Sequence, residues 1–152
     1  MKKIVLNACG VKSLGGLKLF LESFDFFSKS DSKIFVLYSE VEFYKDLNNQ
    51  FYENPRVKFY KTTNKRYLHP FLNYFLPKKI LEEINNSDAI VHFGNFGFKT
   101  LKKSFVLIQN ILPLVKKGIR NSILKLLINR SMNLSNFIPV SYTHLRAHET
   151  NS

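Results

Sequence analysis

Short apolar runs alternate with amphipathic segments along most of the chain. Four of the five runs are almost continuously apolar and too short for helices, which is typical of strands in a parallel sheet covered on both faces. The third run alternates with polar residues and is expected nearer an edge of the sheet. The predicted strands span residues 3–8, 33–39, 57–62, 88–93 and 105–109.

Between and after these strands, apolar residues recur at the spacing of helices. A glycine-containing loop over 9–16 precedes the first helix, and a second helix over 78–86 follows Pro77, which is favourable at a first turn. A basic helix covers 114–132, and 41–51 is a short helix or an irregular segment. The first helix has its apolar positions at Leu17, Phe20, Leu21, Phe24 and Phe27.

This order of elements predicts an α/β fold, a Rossmann-like parallel sheet with helices on both faces. We expect five or six strands and, for 152 residues, a single domain. The strand residues expected in the core are Ile4, Val5, Phe35, Val36, Ile90, Val91, Val106 and Leu107.

The composition narrows the class of protein. Hydrophobic residues make up 45% and charged residues 22% of the chain, so a core can form and disorder is excluded. A single cysteine, Cys9, allows no internal disulfide and no cysteine metal cluster, which favours a cytoplasmic setting. No run approaches the roughly 18 apolar residues of a membrane span, and the apolar run 4–6 is too short for a signal peptide.

The charge is strongly positive and unevenly distributed. The net charge is +12, and no Asp or Glu lies between residues 89 and 139. An anionic partner is one interpretation. An AT-rich coding sequence is the other, although it does not explain why acidic residues stop after Asp88. The cations of this segment are Lys99, Lys102, Lys103, Lys116, Lys117, Arg120, Lys125 and Arg130.

The end of the chain reads as an artefact. Residues 140–150, VSYTHLRAHET, resemble one translated frame of a transposon-type sequencing adapter. We therefore expect an incomplete domain over 1–138 and an adapter-derived tail over 139–152 that packs poorly. His144 and His148 are accordingly not interpreted as a metal or catalytic pair, and the parent protein is expected to be longer.

Three residue pairs are candidates for ligand binding, because ligands of open α/β sheets bind beyond the carboxyl ends of the strands. The first pair precedes a helix, whose backbone amides can bind a phosphate or a hydroxyl. The second pair follows the fourth strand. The third pair ends the fifth strand with two side-chain amides, which can hydrogen-bond sugar hydroxyls. A tight turn or a cap without a ligand is the alternative for each. The pairs are Gly15 with Gly16, Gly94 with Asn95, and Gln109 with Asn110.

Other chemistry is not indicated. The glycines form neither G-x-G-x-x-G nor a P-loop, which disfavours NAD binding and ATP hydrolysis. His92 is expected as a core histidine within a strand and His69 as a loop residue. No carboxylate pair, Ser/His/Asp set or metal-ligand cluster stands out.

The basic helix has two interpretations. Cations among apolar residues allow contact with an anionic membrane surface, whereas an ordinary helix would pack its apolar side on the sheet and leave its cations solvated. The cations proposed for membrane or anion contact are Lys116, Lys117, Arg120 and Lys125.

Two segments resemble a known family. Residues 2–21, KKIVLNACGVKSLGGLKLFL, and 88–114, DAIVHFGNFGFKTLKKSFVLIQNILPL, are similar to the N-terminal half of family-4-like GT-B glycosyltransferases that assemble bacterial surface polysaccharides. The resemblance implies retaining, metal-independent sugar transfer without a cofactor. It implies that this half binds a glycan or lipid-linked acceptor, while the absent half holds the nucleotide-sugar donor.

The resemblance also implies roles for the candidate residues. Gly15 and Gly16 would approach the donor diphosphate or the acceptor across an interdomain cleft. Many relatives have His-Asp where this chain has Gln109 and Asn110, and amides orient a sugar but do not transfer protons near neutral pH. The catalytic residues are therefore unassigned, and the chain alone is expected to be inactive. The alternative is a basic α/β module that binds nucleic acid or an anionic membrane without catalysis; because no nucleic-acid motif is present, nucleic acid is the less expected partner.

Overall fold

The computed structural model describes residues 1–11, 14–39, 54–63, 65–108 and 117–134. Within these ranges, five strands, three α-helices and one 3-10 helix follow one another along the chain. They are β1 (Lys2–Asn7), α1 (Leu14–Lys29), β2 (Ser32–Tyr38), β3 (Val57–Lys61), the 3-10 helix (Arg66–Tyr74), α2 (Lys78–Asn85), β4 (Ala89–Phe93), β5 (Lys103–Leu107) and α3 (Ile119–Asn133).

The five strands form one sheet in the order β3-β2-β1-β4-β5, and every neighbouring pair is parallel. The α/β, Rossmann-like fold class is thus confirmed, and β3 lies at an edge as its alternation predicts. From β1 the chain adds β2 and β3 towards one edge of the sheet, and it later adds β4 and β5 towards the other edge. This reversal falls between β1 and β4, and sheets of this type bind ligands beyond the carboxyl ends of the strands at such a point.

Each strand contributes to a core on both faces of the sheet, which explains the continuous apolar runs. Neighbouring residues of a strand point to opposite faces, so Leu6 packs beneath α1 while Val5 packs on the other face. Full burial of such side chains contributes about 1.5–3 kcal/mol each. The α1 face includes Phe20, Phe24, Ile34, Val36 and Phe93; the second face includes Phe35, Leu37, Leu72, Ile84, Ile90 and Phe98.

The second face is covered by α2, the 3-10 helix and α3. Val106 pairs with His92 across β5 and β4, so both point to the same face, and Ile128 of α3 packs on Val106. The Arg130 guanidinium donates a hydrogen bond to the Pro70 carbonyl at 2.8 Å and lies 4.7 Å from the Phe71 ring centre. These contacts join α3 to the 3-10 helix on the side of the sheet opposite α1.

Two sequence predictions are corrected by the structure. Gly15 and Gly16 lie in the first turn of α1, which begins at Leu14, and not in a loop. His69 is buried within the 3-10 helix, where its Nε2 lies 3.0 Å from the Thr63 carbonyl. The glycines favour a loop and Pro70 disfavours a regular helix, so the sequence pattern reveals neither outcome.

The burial prediction also needs a correction. Six of the eight strand residues expected in the core are buried, but Val91 and Leu107 are only half-buried. Both point to the α1 face from the β4–β5 side of the sheet, and α1 packs mainly over β1 and β2. The segments predicted at 41–51, 109–116 and 139–152 lie outside the described residues.

Candidate functional site

Two loops meet backbone to backbone at the strand reversal between β1 and β4. A Cβ atom at Gly94 would lie 2.7 Å from the Gly10 carbonyl oxygen, and one at Gly10 would lie 2.8 Å from the Phe93 carbonyl oxygen. Gly94 also has a φ of +84°, which disfavours residues with a side chain. The approach of the two loops therefore requires glycine at both positions.

The amino terminus of α1 belongs to the same edge of the sheet, because the loop after β1 leads directly into it. The first turn of a helix is the positive end of the helix dipole, which favours anions and hydroxyl oxygens. Gly15 and Gly16 lie in this turn. The candidate site thus combines helix amides with the turn at Gly94 and Asn95.

Asn7 and His92 form a buried pair below these loops. The Asn7 Oδ1 accepts a hydrogen bond from the Cys9 N–H at 3.2 Å, so its Nδ2 faces the His92 Nδ1 at 2.8 Å. The amide donates, which leaves the imidazole proton on Nε2, and Nε2 has no hydrogen-bond partner among the described residues. Burial lowers the pKa of His92 to about 3. His92 is consequently a neutral core histidine, as the strand pattern predicts, and it joins β1 to β4.

The loops after β1, β2 and β3 are tied together by hydroxyl groups. Thr62 Oγ1 donates to the Tyr38 carbonyl at 3.1 Å and lies 3.0 Å from the Cys9 sulfur, so the thiol donates to the threonine oxygen. Ser39 Oγ donates to the Cys9 carbonyl at 3.0 Å. Burial raises the pKa of Cys9 to about 12. Cys9 is therefore a protonated structural thiol and not a nucleophile.

The structure brings together only part of the predicted site. Gly15, Gly16, Gly94 and Asn95 come from the two loops at one edge, with Gly94 buried and Asn95 half-buried. Gln109, Asn110 and Lys116 lie outside the described residues, whereas Lys117, Arg120 and Lys125 are exposed at or near the start of α3 and along it.

Sequence reasoning missed Gly10 and Asn7 as parts of this site. The signals were present, because Gly10 and Gly94 each follow a strand closely and Asn7 interrupts an otherwise apolar run. Their meaning depends on β1 and β4 being neighbours, although 85 positions separate Asn7 from His92. Strand order therefore decides which of the glycines matter.

A second concavity lies at the opposite end of the sheet. This open cleft has a volume of about 530 Å³ and is lined mainly by the start of β1 and the end of α1, including Ile4, Phe26 and Phe27. Parallel sheets bind ligands at the carboxyl ends of their strands. We therefore place the candidate site at the Gly10–Gly94 contact and not in this cleft.

Comparison of the chain with protein-family models, curated proteins and solved structures found no match. The part of the chain that the structure describes contains no group of three or more His, Cys, Asp or Glu side chains arranged to hold a metal ion. It also contains no helix with the length and apolar character of a membrane span. The fold defines an α/β protein with a Rossmann-like sheet, and the Gly10–Gly94 contact at its strand reversal marks the candidate ligand site.

Proposed function

We propose that this chain is the acceptor-side half of a retaining glycosyltransferase of the family-4-like GT-B type, which transfers a sugar from a nucleotide sugar to a bacterial surface-polysaccharide acceptor. The resemblance of residues 2–21 and 88–114 to that family suggests this activity. The observation that carries the proposal is the backbone contact of Gly10 with Gly94 at the strand reversal, beside the first turn of α1.

The chemistry of this edge suits binding more than proton transfer. Backbone amides of the first turn of α1 can donate to a hydroxyl or phosphate, and the Asn95 side chain can both donate and accept. His92 and Cys9 are buried and neutral at ordinary pH. The role we assign to this half is to hold and orient the acceptor.

The proposal includes the expectation that the 152-residue chain does not transfer sugar alone. A GT-B active site lies between two halves, and the donor is held mainly by the second half. Positioning both reactants can supply roughly 7–11 kcal/mol of the barrier. A few amides at one edge cannot replace that contribution, whereas weak acceptor binding can remain.

The experiment is a binding and turnover assay of the 152-residue chain. A panel of glycans and lipid-linked oligosaccharides is titrated by ligand-observed NMR, and nucleotide sugars are then added to measure turnover. We expect weak glycan binding that Asn95→Ala reduces several-fold and that Asn86→Ala, at the exposed end of α2, leaves unchanged.

Two results would contradict the proposal or part of it. Glycan binding that is absent, or equal in both variants, removes the assignment of an acceptor site. Turnover well above background that Gly15→Val abolishes would show that the chain is catalytically complete, and the expected second half would then be unnecessary.

A second candidate function is a basic α/β module that binds nucleic acid without catalysis. It is favoured by six exposed cations in a segment without acidic residues: Lys99, Lys102, Lys103, Lys117, Arg120 and Lys125. A gel-shift assay against single- and double-stranded nucleic acid distinguishes the two functions. Binding that weakens steeply with salt and is insensitive to Asn95→Ala would favour the nucleic-acid module.

A further inference from the structure

Tyr67 is a large aromatic residue that stays exposed just beyond the carboxyl end of a strand. It lies in the first turn of the 3-10 helix, shortly after β3 ends at Lys61, and 64% of it is exposed. A single exposed aromatic residue is ordinary on a protein surface. Its meaning therefore depends on how firmly it is held and on what lies beside it.

The backbone around Tyr67 is held on both sides. Before it, the Lys65 N–H donates to Thr63 Oγ1 at 3.2 Å, and the Leu68 N–H donates to the Lys65 carbonyl at 3.0 Å. After it, the buried His69 ring donates through Nε2 to the Thr63 carbonyl at 3.0 Å. A tyrosine has few torsion angles of its own, so a ring on a fixed backbone offers a binding surface at low entropic cost.

The turn that carries Tyr67 is connected to the candidate site. Thr62 Oγ1 lies 3.0 Å from the Cys9 sulfur, and Cys9 directly precedes the first of the two glycines that meet at the strand reversal. Asn95 follows β4 and Tyr67 follows β3. The ends of these strands are separated by three strand spacings, about 14 Å. Both residues therefore belong to one edge of the sheet, but a single sugar ring does not span their strand ends.

We propose that Tyr67 forms a second acceptor subsite, in which its ring stacks on one sugar while Asn95 hydrogen-bonds another sugar nearer the glycines. The C–H groups on one face of a sugar ring carry partial positive charge and suit the negative face of an aromatic ring. The candidate site consequently takes an oligosaccharide and not a single sugar. This inference rests on the proposed function, which supplies the glycan acceptor.

The polar neighbours of Tyr67 favour a sugar over an apolar partner. Lys65 is exposed, and the hydroxyl-bearing Thr62 and Thr63 are half-buried at the same turn. A sugar offers a C–H face to the ring and hydroxyl groups to the ammonium and hydroxyl side chains. An apolar protein surface would cover these polar groups without giving them partners, which costs free energy.

The test measures how the 152-residue chain binds malto-oligosaccharides and chito-oligosaccharides of increasing length, from the single sugar upwards, by ligand-observed NMR. We expect affinity to rise with glycan length. Tyr67→Ala should weaken binding of the longer glycans about three- to tenfold through lost stacking, and should leave binding of the single sugars unchanged. Tyr67→Phe keeps the ring and should bind within about twofold of the unchanged chain.

Tyr74 provides the matched control. It is a tyrosine at the other end of the same 3-10 helix, and 68% of it is exposed, against 64% for Tyr67. Tyr74→Ala should leave the binding of every glycan unchanged. With isotope-labelled tyrosine rings, the NMR signal that Tyr67→Phe removes should shift when the longer glycans are added, and the Tyr74 signal should not. Circular dichroism checks that each variant is folded.

The outcomes separate this inference from the proposed function. Binding of the longer glycans that Asn95→Ala weakens and Tyr67→Ala does not would overturn the second subsite and leave the acceptor site in place. Equal losses in Tyr67→Ala and Tyr74→Ala would overturn it as well, because the effect would then belong to surface aromatic residues in general. Binding of no glycan would overturn both, and binding of single-stranded nucleic acid that Tyr67→Ala weakens would then assign the ring to base stacking.

Discussion

The two faces of the sheet are covered by helices of different character. Helix α1 buries Phe20 and Phe24 and places the pairs Lys29–Asp25 and Lys18–Glu22 on its exposed side. Helix α3 buries Ile128 but exposes three further aliphatic residues among unbalanced cations. The difference is that the exposed side of α1 carries paired charges, whereas the exposed side of α3 carries aliphatic residues and cations.

Buried polar groups also distinguish the faces. The two buried histidines of the described residues lie on the second face, where Asn7 holds His92 and the Thr63 carbonyl holds His69. Buried polar groups are stable only when hydrogen-bonded. The second face should therefore depend more on pH than the first.

The largest expected difference in the free energy of unfolding is between a variant at an inner residue of α1 and a variant at an outer residue of α3. Phe20→Ala should reduce the free energy of unfolding by about 3–5 kcal/mol, because it leaves a cavity among Phe24 and Phe93. Leu126→Ala should change it by less than about 0.5 kcal/mol, because Leu126 is exposed. Urea unfolding measures both, and a large loss for Leu126→Ala would show that the outer side of α3 is covered.

Two glycines with positive φ differ in their surroundings: Gly94 contacts another loop, whereas Gly118 precedes α3 in open space. Gly94→Ala should cost about 2–4 kcal/mol, since it combines backbone strain with a Cβ 2.7 Å from the Gly10 carbonyl. Gly118 has a φ of +123°, but no atom lies within 4 Å of the position of its Cβ. Gly118→Ala should therefore reduce the free energy of unfolding by only about 1–2 kcal/mol. Equal costs in thermal or urea unfolding would contradict the close contact of the two loops.

The pH prediction concerns the second face alone. Burial holds the pKa of His92 at about 3 in the folded chain, against an ordinary value of 6.5. Below pH 6.5 the unfolded chain takes up a proton that the folded chain does not. Stability from this group is therefore complete above pH 6.5 and decreases as pH falls towards 3, with a slope approaching about 1.4 kcal/mol per pH unit.

Urea unfolding between pH 7 and pH 5 checks the pH prediction, with His92→Gln as the matched variant. The difference in stability between the two chains should shrink as pH falls, because only the unchanged chain loses this contribution. A difference that stays constant over this range would show that His92 is not held neutral by burial.

The smallest effect concerns exposed ion pairs. Lys29→Gln should reduce the free energy of unfolding by at most about 0.5 kcal/mol, because the pair with Asp25 is exposed to solvent. Lys125→Gln should leave it unchanged or raise it slightly, since α3 has no acidic residue to pair with it. Added salt should reduce the effect of Lys29→Gln on the free energy of unfolding. A salt-independent loss of stability above about 1 kcal/mol would show that the Lys29–Asp25 pair is not exposed to solvent.

Local patterns predicted the five strands and the main helices of this fold. The apolar runs around Val5, Val36 and Ile90 indicated buried strands because no side of them suits water, and the spacing of Phe20 and Phe24 indicated the helix α1. The parallel sheet follows from the same runs. Local patterns did not predict the 3-10 helix around Pro70 or the start of α1 at Leu14, because packing on the sheet decides both.

The candidate site was only partly predictable. Gly94 and Asn95 were identified because they follow a strand, but Gly10 and Asn7 acquire a role only once β1 and β4 are neighbours. The glycosyltransferase function, the absent second half and the adapter-derived tail remain proposals from the sequence.

The sequence by itself determined the parallel sheet and six of the eight strand residues expected in its core, because strand period and continuous apolar runs are local properties of the chain. Tertiary structure decided that Gly10 meets Gly94, that Asn7 orients the His92 imidazole, and that α3 turns Ile128 inward and Ile123 outward. An apolar residue specifies that it avoids water, but not which surface will cover it. Only the order of the strands and the side taken by each helix determine that surface.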